Sequence, residues 1–191
     1  MAFANTLHWH ASASPRETLH RYEDLLAWAS AQQLLAAGSA DSLARRARRA
    51  PQAAAAVYRR AIALREAIYR SFLALRDGAV PERGDVQRLN EEIQRALPHH
   101  RVEFTDAGPR WTLAAGSAAL DLPLWTIVHS ALEVLLAEDL RARVGQCADP
   151  EGCGWLFLDL SKNRSRRWCS IQECGNRAKQ RRLQSRMRAA R

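Results

Sequence analysis

The chain's four cysteines stand close together near its C-terminus, as Cys147, Cys153, Cys169 and Cys174, in the pattern C-x5-C-x15-C-x4-C. Two close pairs separated by a longer excursion suit a four-thiolate zinc site, each pair forming a turn that presents two sulfurs. Four thiolates satisfy a tetrahedral zinc completely and leave no position for a substrate, so the expected ion is structural. The alternative is disulfides, which need an oxidising compartment. Residues 1–10 carry no charged start followed by an apolar run, as a secretory leader would. No stretch approaches the ~18 apolar residues of a membrane span. The expectation is therefore a cytoplasmic protein with one Zn²⁺. After Val144 aliphatic residues are too few for an independent core, and segments of that size need a metal or cross-links to fold.

Charge divides the chain at the same place. Residues 1–140 hold 16 basic and 16 acidic residues, and residues 141–191 hold 13 and 4, so the whole excess of +9 lies in the tail. A neutral body with a cationic tail points to a polyanionic partner. From Cys174 to Arg188 the sequence reads as a helix. At 100° per residue Arg177, Arg181 and Arg188 share one face, Lys179, Arg182 and Arg186 another, and Leu183 and Met187 a third. Held by zinc at its N-terminal end, such a helix suits a phosphate-lined groove. The loop before it adds Lys162, Arg164, Arg166 and Arg167 as phosphate donors. The plainer alternative is a solvated or disordered basic tail.

Residues 1–140 predict a mainly helical body. An extended lead-in ends at Pro15, and helices are expected over Glu17–Ala37, Ser42–Arg49 (capped by Asp41), from Pro51 to Asp77-Gly78, from Asp85 to Pro98, and from Pro123 onward. The last has the strongest amphipathic stripe, through Leu124, Ile127, Val128, Ala131, Leu132, Leu135 and Leu136. Segments 100–105 and 110–115 flank a turn at Asp106-Ala107-Gly108-Pro109 and read as a hairpin. The predicted architecture is an α+β domain over 1–140, mainly α with one small β-hairpin, followed by a four-cysteine finger over 141–191 that ends in a basic helix. Trp155, Leu156, Phe157 and Trp168 are expected to pack beside the metal. Gly152, Gly154 and Gly175 flank cysteines where the backbone must turn towards sulfur.

At Cys174-Gly175-Asn176-Arg177 the sequence resembles the CGNR zinc-finger family. The likeness extends through Cys153-Gly154-Trp155-Leu156-Phe157-Leu158-Asp159, Ser161, Arg167-Trp168-Cys169-Ser170 and Ala178-Lys179, and covers roughly the last 45 residues. The resemblance implies zinc on Cys147, Cys153, Cys169 and Cys174, and a bacterial regulator of transcription. The gap from Cys147 to Cys153 is one residue longer than usual for the family. Such fingers follow a domain called ABATE, described as a stress-induced transcription regulator. Residues 1–140 are similar to it in layout, and Asn5-Thr6 to an Asn-Thr pair near its start. Relatives carry a first strand before that pair, where this chain has four residues.

Nothing in the sequence points to catalysis: there is no phosphate-binding glycine loop, nucleophile elbow or H-E-x-x-H. Glu91-Glu92 and Glu138-Asp139 read as solvated helix faces. His8-Trp9-His10 places two imidazoles on one side of a strand, with surface histidines as the default for these and for His20, His99, His100 and His129. Three functions remain. The first is a duplex-DNA-binding regulator whose body binds a small-molecule effector or forms a homodimer. The second is an RNA-associated zinc protein, and the third a zinc-stabilised protein-interaction module without nucleic-acid binding.

Overall fold

Pro51 and the stripe behind it produce the longest element, helix α3 (Pro51–Arg76). A proline at the first helical position lacks only an N–H that has no helical partner there. Ala54, Val57, Ala61, Leu64, Ile68 and Phe72 follow at three- and four-residue steps, and all are buried. A computed structural model describes residues 1–113, 119–149 and 151–189. In it, α1 (Tyr22–Ala31), α2 (Ser39–Arg49), α4 (Arg83–Ala96) and α5 (Leu122–Leu136) close around that stripe in one continuous core. The fold is mainly helical with small antiparallel hairpins, and the cysteine-bearing C-terminal region ends in helix α7 (Asn176–Ala189). A four-residue helix, α6 (Glu138–Arg141), leads out of the body. Among the described residues no helix is long and apolar enough to cross a membrane.

Several expectations change in detail, and one is the start of α2, which begins at Ser39 after Gly38 and holds Asp41 in its first turn instead of at its cap. The first helix is shorter than Glu17–Ala37, and residues before it pair as β1 (Leu7–His8) with β2 (Arg16–Glu17). The Glu17 carboxylate is the reason: it accepts the N–H groups of Thr18 and Leu19 and two bonds from Arg65, which a helix starting there would forbid. The helix starts instead where Asp24 reaches back to the N–H groups of His20 and Arg21. The hairpin β3 (His100–Thr105)/β4 (Gly108–Leu113) turns on Asp106-Ala107 alone, with Gly108 and Pro109 already in the second strand. Residues 114–115 of the expected strand lie outside the described residues. The end of the α5 stripe also differs, because Leu136 is 77% exposed.

Two arginine clusters brace the core. Arg65, 2% exposed, meets Glu17 through two bonds of 2.7 Å and Glu66 at 2.9 Å. Arg60 and Arg95 converge on Glu92, whose side chain is fully buried. Glu92 is thus not the solvated residue its sequence position suggested. A carboxylate so enclosed needs this kind of pairing, since desolvation alone would neutralise it. His10 departs from the surface default as well: its Nε2 lies 2.9 Å from Glu66 and its ring stacks on Tyr69 at 3.5 Å.

Candidate metal centre and cationic surface

The finger begins as a third hairpin, β5 (Val144–Gln146) with β6 (Leu156–Leu158). Cys147 follows β5 directly, and its N–H donates to the Trp155 carbonyl at 2.8 Å, so the ladder runs straight into the knuckle that carries Cys153. Gly152 and Gly154 take positive φ, 89° and 66°. A Cβ at Gly154 would also lie 2.7 Å from the Ala11 backbone nitrogen, so glycine is required twice over, by dihedral and by space. The knuckle is pressed against the N-terminal segment, where the N–H groups of His10 and Ala11 donate to the carbonyls of Cys153 and Gly152. Gly175 was expected to share this freedom, but it has no positive φ and lies in a π-helical turn (Ile171–Gly175) that brings up Cys174.

The four sulfurs lie within 4.8 Å of one another. Cys153 and Cys169 are 3.6 Å apart, and Cys169 and Cys174 3.5 Å. Thiolates placed 2.3 Å from a tetrahedral zinc are separated by ~3.8 Å, so the donor set fits the ion. The thiols themselves call for a cation. Hydrogen bonds from Cys153 and from the N–H groups of Cys169 and Asp149 outweigh burial at Cys147 and lower its thiol to about 5. Cys153 is pushed up by its bond to Cys147 and by burial, while Cys169 and Cys174 are pushed up chiefly by burial. Four thiolates held this close repel one another, and a divalent cation is what offsets their charge.

A second ring of groups surrounds the sulfurs. Arg177 donates to Cys174 Sγ at 2.8 Å and offsets the excess negative charge that four thiolates carry. It also makes two bonds to Asp149, at 3.1 and 2.9 Å, and lies 4.8 Å over the Trp9 ring. Arg181, one turn along α7, reaches both Asp149 and Glu151. Asp149, fully buried and placed between the first two cysteines, thereby clamps α7 onto the knuckle. Burial pushes its carboxyl up, but the Glu151 N–H and the two arginines prevail and lower it.

A model of the CGNR zinc finger matches residues 143–187. A second model, ABATE, "Putative stress-induced transcription regulator", matches residues 1–138, most of the chain. The chain belongs to the ABATE family. It carries the CGNR zinc finger, with the four clustered cysteines as its zinc site. Comparison with curated proteins finds no match.

In this ABATE protein the ten basic residues singled out from the sequence divide into two groups. Arg177 and Arg181 are half-buried in ion pairs, and Arg166, though exposed, is held by backbone carbonyls. Arg166 caps the carbonyls of Trp168 and Cys169 and sits 4.6 Å over the Phe157 ring. Lys162, Arg164, Arg167, Lys179, Arg182, Arg186 and Arg188 are exposed, and none pairs with a described carboxylate. Two clefts share Trp168 among these residues. One, of about 360 Å³, is lined by Arg166 and Arg167, and the other, of about 590 Å³, by Lys179, Arg182 and Arg186. The expected apolar cluster also divides: Trp155 and Trp168 pack with the cysteines, joined by Trp9, whereas Leu156 belongs to the core of the helical body.

Asp149, Asp159 and Asn5 carry structural roles the sequence reading did not assign. Asp159 accepts the N–H groups of Ser161 and Arg166 and shapes the basic loop. Asn5 mimics a strand partner, exchanging two 2.8 Å bonds with the backbone of Leu156. An acidic residue inside a cysteine pair was the available signal for Asp149, and the family likeness at Asn5-Thr6 and at Asp159 was the signal for the other two.

Proposed function

We propose that this ABATE protein is a cytoplasmic regulator that binds duplex DNA through the exposed cations of its zinc finger, and that it is not an enzyme. The observation that carries the reading is the division of the finger's arginines. Three are held by protein partners and fix the module, while seven cations from a loop and from α7 have no carboxylate partner among the described residues. Such cations arranged along a helix and an adjacent loop match a sugar-phosphate backbone, and releasing its counterions drives binding. Zinc contributes by fixing where α7 begins. A two-fold homodimer would double the contact area of so small a finger.

The test is a salt series of fluorescence anisotropy with a labelled duplex and zinc-loaded protein. If log affinity falls with log salt at ~0.9 per phosphate contacted, a slope near −4 to −6 is expected. Arg182→Gln with Arg186→Gln should shallow the slope by about 2 with zinc retained. Affinity insensitive to salt would exclude this reading and favour a protein partner. One observation favours single strands, including RNA, as a second reading: Trp168 is only half-buried and borders both clefts, where a base stacked on it would bind at ~1–3 kcal/mol. A Trp168→Leu variant that loses single-strand affinity while keeping duplex affinity separates the two.

A further inference from the structure

The turn that carries Ile171 is tightly held, although its side chain is not covered. Cys169 and Cys174, two of the four clustered cysteines, bracket it. Ser170 closes it twice: its hydroxyl accepts the Glu173 N–H at 3.2 Å and its carbonyl accepts the Gly175 N–H at 3.1 Å. At the start of this turn Ile171 is 74% exposed. Trp168 stands beside it. A Cβ at Gly175 would come 3.3 Å from Trp168 Cδ1 and 3.7 Å from Ile171 Cγ2, so both side chains rest against the glycine. Together they form a short apolar ridge.

Cations flank this ridge. One cleft is lined by Ile171 with Arg166 and Arg167, the other by Lys179, Arg182 and Arg186, and Trp168 lines both. No carboxylate lines either cleft, and Glu173, two residues beyond Ile171, is outside both. So much like charge disfavours a second copy of the same surface, and it suits two phosphate strands with a groove between them. The ridge is only two side chains wide, which fits the minor groove, ~6 Å across, better than the ~12 Å major groove. The Trp168 indole N–H agrees with that choice. It is open to solvent with no hydrogen-bond partner among the described residues, whereas that of Trp155 donates to the Leu7 carbonyl at 3.3 Å. In the minor groove A·T pairs present only acceptors. An apolar side chain offered there by a fixed turn can enter between base pairs, unstack them and bend the duplex.

We propose that Ile171 is a wedge that enters a deformable step of duplex DNA from the minor groove, supported by Trp168, with the cations of the two clefts on the two backbones. The inference rests on duplex binding by the finger and specifies how the duplex is held. The experiment adds the full, zinc-loaded chain to a short duplex with one central TA step among G·C pairs. The adenine of that step is replaced by 2-aminopurine, whose emission rises on unstacking, and the ends carry a donor and an acceptor dye. We expect 2-aminopurine emission and energy transfer both to rise, and a duplex without the flexible step to bind roughly three- to tenfold more weakly. Ile171→Ser, a change at an exposed position, should keep zinc, melting temperature and the salt slope of binding, yet lose both optical signals; Ile171→Leu should retain them. Salt-dependent binding without a rise in 2-aminopurine emission, or a rise that persists in Ile171→Ser, would overturn the wedge and leave duplex binding standing. Absence of salt-dependent duplex binding would overturn both.

Discussion

Replacing Asp149 with asparagine should release α7 while leaving the metal bound. The carboxylate is fully enclosed, but Arg177 and Arg181 keep 34% and 27% of their side-chain surface exposed. Hydrogen bonds to charged groups contribute ~1.5–3 kcal/mol each when sheltered, and exposure of the arginines places these at the lower end. Asparagine retains one acceptor oxygen of similar shape, so some bonding survives in neutral form. The net loss is then about 1–1.5 kcal/mol per arginine, or 2–3 kcal/mol for the clamp. Since 1.4 kcal/mol is a factor of ten, α7 should detach roughly 30- to 150-fold more often. Detached, a helix of 14 residues with so few apolar ones is marginal in water and will fray. Hydrogen exchange read by mass spectrometry over residues 178–186 of the zinc-loaded chain measures this as a matching loss of protection. Zinc stoichiometry is followed in the same sample and should stay at one per chain. Unchanged protection would refute the clamp, and loss of zinc would show that Asp149 supports the metal rather than the helix.

Chelation should expose four titratable thiols and lower the thermal midpoint of the helical body too, because Leu156 sits in the body's core; calorimetry with and without chelator reads both transitions. Gly154→Ala combines a φ of 66° with the Ala11 backbone nitrogen and Cβ both 2.7 Å from the new methyl, so a loss of about 2 kcal/mol and a fall of ~4–8 °C in melting temperature are expected by scanning calorimetry. Acid should weaken the fold through Glu17 and Glu66. Burial pushes both carboxyls up, but Arg65 at Glu17, and His10 with Arg65 at Glu66, more than reverse it and hold both below the ordinary range. Their stabilisation is therefore complete above the unfolded value of ~4.3 and disappears as pH falls through the lower folded values. In urea titrations between pH 3 and 6, Glu17→Gln should show a lower midpoint at pH 6 and a shallower decline below pH ~4.3 than wild type.

What the sequence made legible was local. The four-cysteine pattern, the proline starts of α3 and α5 and their apolar stripes each specify their element within a few turns, and each is found where expected except that the α5 stripe stops short of Leu136. What it hid were partnerships across long separations. Asp149 meets arginines 28 and 32 residues away, His10 meets Glu66 across 56, and Asn5 meets Leu156 across 151. The error in α1 has the same origin. Leu19 is buried and fits helical spacing, but it is held in a non-helical approach by a carboxylate whose partner, Arg65, lies on another element. Glu92 read as solvated for want of any sign in its own neighbourhood that Arg60 would cover it.

The excess positive charge of the tail, uniform in the sequence, does two separate things in the fold. Asp149 and Glu151 lie between Cys147 and Cys153, within reach of the first turns of α7 only because the metal-binding knuckle brings Cys174 beside them. They take Arg177 and Arg181, one turn apart on the same face of α7, and Lys179, Arg182, Arg186 and Arg188 are left without acidic partners among the described residues. Trp9 under Arg177, and the bonds from His10 and Tyr69 to the Cys153 and Gly154 carbonyls, attach the same knuckle to the helical body. Zinc therefore has more to do than fold a small module. By fixing Cys174 relative to Asp149 it determines which arginines are neutralised internally, and so which face of α7 remains cationic and how that face is oriented on the body.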